Sequence, residues 1–286
     1  MSVLVVNNIS ELRKQIEKYK KDGLKIGLVP TMGCLHNGHA SLIEKSVEKC
    51  DVTVVSVFVN PVQFGPNEDY NKYPRTFDKD KELVNSLGAD IIFSPSADEM
   101  YPETTIHSNL TMVIPPFGLT DLMCGKSRIG HFDGVCTVVT KLFNIVQPDY
   151  AFFGMKDIQQ LYVLRKMVSD LNFQLEIVPC PLIREESGLA LSSRNRYLSD
   201  EDKKIALTIS KSLFALKAMV KSGIVDTKNL FNTVIANLDK SIELDYLEFV
   251  EAENFTPVKE VNGKTIAAIA AKVNNVRLID NVIIGE

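Results

Sequence analysis

A parallel, doubly wound α/β sheet followed by a smaller α+β domain is the fold this sequence predicts. Three observations predict it. Across the first 180 residues, short β-branched runs alternate with segments of helical period. The unusual polar clusters each follow such a run, where ligands sit in sheets of this kind. Past residue 180 the alternation stops, and two helical segments precede a group of strand-like runs.

The elements follow in order. KIGLV (25–29) reads as a buried strand, and HASLIEKSVEKC (39–50) as a helix with Leu42, Ile43, Ser46 and Val47 on one side. VTVVSVFV (52–59) is the next strand. TFDKDKELVNSLG (76–88) predicts a helix with Thr76 as a possible N-cap, Leu83 and Leu87 at i,i+4 and a terminal glycine; ADIIFSP is a third strand. An irregular stretch around IPPFG leads to the helix FDGVCTVVTKLFNIV, the strand DYAFFG, the helix KDIQQLYVLRKMVSDLN and the strand QLEIVP. Five apolar strands separated by helices imply a parallel sheet. A domain boundary is expected in PCPLIREESG, dividing the chain into 1–180 and 181–286. Ser199 before Asp200, Glu201 and Asp202 is a strong helix start. That helix is expected to reach about Ser222, with a second near 226–239. LEFVEAENF and KTIAAIAAKVNNVRLIDNVII read as strands, with a turn at VNG, 261–263.

Composition narrows the function classes. With 286 residues, 45% hydrophobic and 24% charged, the chain has the make-up of a globular protein. A net charge of −4 argues against a nucleic-acid binder, which needs a basic stripe. Five cysteines without a CxxC pair point to a reducing cytoplasm. No signal peptide is expected in MSVLVVNNISELRK, which lacks a charged region before its apolar residues. VTVVSVFV is far too short to span a bilayer, so no membrane partner is expected.

Several polar clusters carry chemistry, each with a plainer alternative. VPTMGCLHNGHASL places Gly33, His36, Gly38 and His39 between a strand and a helix's first turn. The positive end of a helix and free backbone N–H groups there favour phosphate. The two histidines could instead be packing residues, or metal ligands, although nothing completes a four-ligand zinc site. LSSRNRYLS (191–199) groups Ser192 and Ser193 hydroxyls with Arg194 and Arg196, either to hold polyphosphate or as a solvated loop. In FFGMKDIQQL, Lys156 opens a helix against the dipole unless an anion sits beside it. Asp157 suits ribose hydroxyls or a nearby cation, and Gln160 lies one turn on from Lys156. In FVNPVQFG, Asn60 and Gln63 offer neutral donors and acceptors for hydroxyls or a carboxylate, or simply close a turn. Arg128 and His131 make a second anion contact or only the start of a helix. Neither a Walker loop, a complete GxGxxG nor a GxSxG elbow is present.

Taken in order, these clusters resemble the pantoate–β-alanine ligase family. HxGH appears as His36-Asn37-Gly38-His39, FVNPxQFG at 58–65, GxKDxQQL at 154–161, SSRN at 192–195, RPGHFxGV as RIGHFDGV, and RLIDN at 277–281. HxGH alone marks a wider nucleotidylyltransferase superfamily, so a transferase that stops after adenylyl transfer is the second enzyme reading. FVNPxQFG and KDxQQ argue for the ligase. The sequence departs from the family pattern at Ile129, Leu191 and Met155, none of which removes a polar group with a role.

The resemblance implies a Rossmann-like nucleotide- and pantoate-binding domain with a smaller C-terminal lid, usually as a cytoplasmic homodimer. It implies that pantoate and ATP, with Mg2+, give pantoyl adenylate and pyrophosphate, and that β-alanine then displaces AMP. His36 and His39 would bind ATP phosphates, with His39 the candidate proton donor. The backbone from Met32 through Gly33, Cys34, Leu35, Asn37 and Gly38 would line the nucleotide site. Gly154, Met155, Lys156 and Asp157 would contact ATP, as would Ile183 and Leu191 through Ser192 and Ser193 to Arg194. Lys156, Ser192, Ser193 and Arg194 join the histidines as the catalytic set. Gln63 and Gln160 would hold pantoate, with Asn60 beside them, and Gln63 would also meet β-alanine.

Overall fold

The computed structural model describes residues 2–66, 68–102 and 110–285. The chain divides into two compact units. The first comprises Met1–Thr120, Arg128–Met155 and Gln160–Pro181, and the second Asp121–Ser127, Lys156–Gln159 and Leu182–Glu286.

In the first unit β1 (Leu4–Val6) and α1 (Ile9–Lys21) precede β2 (Ile26–Thr31), α2 (Asn37–Lys49) and β3 (Val52–Val57). Then come α3 (Phe77–Ser86), β4 (Ile91–Phe93) and the single turn α4 (Ala97–Met100). The described strands form a parallel sheet in the order β1-β4-β3-β2, completed by β5 (Tyr150–Gly154) and β6 (Glu176–Cys180). It therefore has six described strands where the sequence predicts five. The extra strand is LVV, at the edge beside β4, too short to stand out as an apolar run. Between β4 and β5 in the chain also come α5 (Met123–Ser127), which belongs to the second unit, and α6 (His131–Val146). α7 (Ile158–Asp170) follows β5.

β2 lies between β3 and β5, so the chain leaves it in one direction and returns on its other side. That is the switch point of a doubly wound sheet, and ligands bind beyond the strand ends there. Helix packing keeps β2 buried: a Cβ on Gly27 would run into the Ser46 hydroxyl of α2. Leu42, Ile43 and Ser46 are buried as expected, but Val47 is exposed at the edge of that stripe. Thr76 precedes α3 without capping it; its hydroxyl donates instead to Asp80 Oδ1 at 3.1 Å.

The second unit holds α8 (Asp200–Lys221) and α9 (Thr227–Asn237) with an antiparallel sheet of β7 (Glu243–Glu251), β8 (Thr265–Val273) and β9 (Val276–Ile284). α8 starts after Ser199 as expected, and Ser199 and Asp202 cap it reciprocally in a capping box. β8 and β9 are joined by the two residues Asn274 and Asn275, with φ of 45° and 64°. Asparagine tolerates the left-handed region that such a tight hairpin demands at both central positions. Leu213, Leu216, Leu230 and Val234 of the helices pack on Ala267, Ile269, Val282 and Ile284 of the sheet. Among the described residues no helix is long and apolar enough to cross a membrane.

Candidate active site

The turn after β2 is held by a side chain the sequence did not single out. Asp80 of α3 is 2% exposed, and its carboxylate accepts the backbone N–H of Cys34 at 2.9 Å and of Leu35 at 2.8 Å. Gly33 and Cys34 both have left-handed backbones, with φ of 76° and 52°. A Cβ on Gly33 would sit 3.0 Å from Asp80 Oδ2, so glycine permits this close approach. Gly33 N–H goes to Thr31 Oγ1.

His36 is the N-cap of α2. Its Nδ1 accepts from Gly38 N–H at 3.1 Å, and His39 Nδ1 accepts from His36 N–H at 3.3 Å, a reciprocal capping box made by two imidazoles. Their ring centroids lie 4.1 Å apart. An Nδ1 that accepts carries no proton, so each neutral ring presents Nε2–H as its donor. The expectation of free loop amides is corrected here. The N–H groups of Gly33, Cys34, Leu35, His36, Gly38 and His39 are all bonded within the protein. What this turn leaves to offer is the pair of imidazole Nε2–H donors and the positive end of α2.

The loop after β3 is built around Gln63. Buried Asn60 donates to Gln63 Oε1 at 3.0 Å and to Gly134 O, and its Oδ1 accepts from Tyr101 O–H at 2.7 Å and Val62 N–H. Gln63 Nε2 reaches Met32 Sδ at 3.2 Å, which brings two of the expected site residues together. Behind them, His131 Nδ1–H donates to Gln63 O at 2.9 Å, since a carbonyl can only accept, and Arg128 donates to His131 Nε2 at 2.8 Å. The Arg128 fork is taken up by Glu68 at 2.7 and 2.6 Å, so Arg128 and His131 brace the loop.

Gly134 lets α6 touch this loop: a Cβ there would lie 2.5 Å from Gln63 Cα and Val62 O. Gly134→Ala is expected to cost about 1–3 kcal/mol of stability by overpacking, as thermal unfolding will measure. Burial pushes the Glu68 carboxyl up, but hydrogen bonds and charge from Arg128, with help from His131 and the Gly65 amide, outweigh it and hold it below its ordinary 4.5. A carboxylate depressed by folding stabilises above its unfolded value, and that stability is lost as pH falls through the folded one. Glu68→Gln should therefore be less stable than the parent near neutrality, with the gap closing as pH falls below 4.5 and through the lower folded value. Urea unfolding at both pH values checks this; a gap that persists in acid contradicts it.

The remaining expected residues stand mostly in the second unit. After Gly154, Met155–Asp157 form a 3-10 turn, and α7 starts only at Ile158. Lys156 thus precedes the helix rather than opening it. Ile183 and Leu191 face each other in a short hairpin: Leu191 N–H donates to Ile183 O at 3.0 Å, and Arg184 and Ala190 form a bridge inside it. Asn195 fastens the hairpin to the next turn, donating to Ala190 O and Glu185 Oε1. Ser192 caps that turn, its Oγ accepting from Arg194 N–H at 3.3 Å.

The family model for pantoate-beta-alanine ligase matches residues 4–283. The chain belongs to the pantoate–β-alanine ligase family. It is 49% identical to the pantothenate synthetase of Caldicellulosiruptor saccharolyticus over 99% of both chains. It is 48% identical to that of Acetivibrio thermocellus over 98% of this chain and 99% of the relative. Its structure is similar to the Thermus thermophilus pantothenate synthetase, with a TM-score of 0.91, 41% identity and 98% and 99% coverage. The pantoate–β-alanine ligase of Francisella tularensis, solved with β-γ ATP and β-alanine, aligns with a TM-score of 0.81, 35% identity and 98% and 97% coverage.

The adjacent glutamines of IQQL differ in burial. Gln159 is 3% exposed and spans the second unit's own segments, donating to Leu122 O at 2.8 Å and accepting from Gly125 N–H at 3.3 Å. Gln160 is partly exposed. Asp80, Gln159 and Glu68 are the supports of these segments that sequence reasoning missed. Each looks like an ordinary surface residue in its local string, and only distant partners give it a task.

Proposed function

We propose that the residues set out above bind the substrates of the reaction the family performs: condensation of pantoate with β-alanine, driven by ATP through a pantoyl adenylate. The carboxylate of pantoate attacks the α-phosphorus and pyrophosphate leaves. The β-alanine amine then attacks the acyl carbon and AMP leaves. No enzyme nucleophile is needed, so catalysis is alignment and stabilisation of developing negative charge.

The observation that carries the reading is the histidine pair, locked as two Nε2–H donors at the N-terminus of α2. His36 and His39 then hydrogen-bond the phosphates in a neutral form. For His39 to act as a proton donor in the imidazolium form, its Nδ1 has to release the His36 amide. Lys156 and Arg194 supply positive charge, Ser192 and Ser193 hydroxyls, and Asp157 a ribose acceptor. The turns at Met32–His39 and Gly154–Asp157, with Ile183 and Leu191, complete the nucleotide contacts. Gln63 and Gln160 hold pantoate, and Gln63 also meets β-alanine. Asn60 stands with them, although a hydrogen bond from it to substrate exchanges for one it already makes.

Magnesium belongs to the same proposal. Among the described residues no group of three or more His, Cys, Asp or Glu is arranged to hold a metal. The ion would be carried mainly by ATP oxygens, where it would offset phosphate charge. Division at about residue 180 into a substrate-binding domain and a lid, a cytoplasmic location and a homodimer complete the reading. Exposed Ile114, Phe117 and Ile129 side chains support self-association.

ATP–pyrophosphate exchange tests the reading. Exchange should require pantoate, and AMP should appear only when β-alanine is added. Exchange without pantoate, or acylation with no AMP release, overturns it.

A further inference from the structure

The RLIDN segment, 277–281, lies on β9 and has no part in the chemistry above. Its last two residues are polar and nearly buried: Asp280 is 5% and Asn281 7% exposed. Successive side chains on a strand point to opposite faces. Asp280 shares its face with Leu278, Val282 and Ile284, which lie in the apolar core under α8 and α9. A carboxylate among them is costly unless fully paired.

The partners are specific. Asp280 takes the Arg184 guanidinium in a two-pronged pair, both bonds 2.7 Å. Arg184 NH1 also donates to Gly188 O at 3.1 Å, and the guanidinium stacks 4.7 Å from the Phe214 ring. Arg184 is the residue beside Ile183 in the hairpin that carries Ile183 and Leu191. From the opposite face, Asn281 Nδ2 donates to the backbone oxygen of Lys156 at 3.1 Å. Arg277, four residues earlier and on Asn281's face, reaches Ser127 and Asp245, not a nucleotide segment.

We propose that Asp280 and Asn281 are positioning residues for ATP: Asn281 fixes the backbone from which Lys156 extends, and Asp280, through Arg184, fixes the hairpin presenting Ile183 and Leu191–Arg194. This rests on the reading that Lys156 and Arg194 contact the nucleotide. A buried ion pair is a poor source of stability compared with apolar residues of the same volume. What Asp280 and Asn281 supply is direction, because the segment each one holds is one that the ATP reading uses. Neither residue touches the reacting atoms.

A double-mutant cycle tests this. Asn281→Ala, and the isosteric Asn281→Leu should alanine impair folding, are compared with the parent and then in a Lys156→Ala background. Asp280→Asn is treated likewise against Arg194→Ala. Kinetics in ATP and in pantoate are read beside thermal unfolding. Misplacement of about 1 Å costs up to about a hundredfold. Asn281→Ala should thus lower kcat/KM for ATP by about 10- to 100-fold and change the pantoate KM by less than about twofold. In the Lys156→Ala background the same substitution should change kcat/KM by less than about threefold. Equal effects in both backgrounds, or a lowered unfolding temperature with unchanged ATP kinetics, overturn the inference and leave the reading of Lys156 standing. If Lys156→Ala itself leaves ATP kinetics at the parent level, that reading falls and takes the inference with it.

Discussion

His39→Ala is expected to lower turnover in adenylate formation by roughly 10²- to 10⁴-fold, the range for a lost acid or preorganised donor. Two effects are mixed in that substitution. On the proposed reading the imidazole offers Nε2–H to developing charge, and its Nδ1 also caps the His36 amide. Glutamine is a natural capping-box residue at this helix position. His39→Gln therefore keeps the cap and removes the ring. Turnover as low in the glutamine variant as in the alanine variant assigns the loss to the imidazole. Near-parent turnover in His39→Gln makes His39 a cap and removes it from the chemistry. Pyrophosphate exchange is the readout, because it isolates the first half-reaction.

Lys156→Ala is expected to lower the same exchange by about 10²- to 10³-fold, comparable to removing one donor from a charge-stabilising site. A loss confined to kcat means that the ammonium acts on charge appearing in the transition state; a loss shared with the ATP KM adds ground-state binding. Lys156→Arg keeps the charge on a longer planar head and is expected to recover only part of the rate. The adenylate's second fate provides a control. Aminolysis of preformed adenylate by β-alanine involves no pyrophosphate, so the alanine variant should perform it far better than the first step. Equal damage to both steps would move Lys156 from phosphate chemistry to general architecture.

Much of this was legible in the sequence because the decisive signals are local. β-branched runs marked the central strands, and the order HNGH, NPVQFG, GMKDIQQL and SSRN carried the family. Ser199, followed by three acidic residues, announced the start of α8. What escaped were features created by distance along the chain. LVV is a strand only because β4 offers it a partner. Asp80 sits in DKDKE, which reads as a solvated helix face, yet it is buried and bound to amides far upstream. The two glutamines of IQQL look equivalent, and only Leu122 and Gly125 distinguish Gln159. Ile183 and Leu191 were placed by resemblance alone, since the hairpin joining them has no alternating pattern to reveal it. Polar residues reveal their type in a string but not their partners.

The Asp80 clamp has a consequence for time and entropy. Its partner amides at Cys34 and Leu35 are 46 and 45 residues away, so the HNGH turn takes its shape only when α3 has docked. The cost of ordering that turn falls on folding and, on the proposed reading, not on the arrival of ATP. Nucleotide should meet a turn already set, without a slow ordering phase at this place. An excised peptide spanning the motif, deprived of its distant carboxylate, should hold neither the turn nor a phosphate.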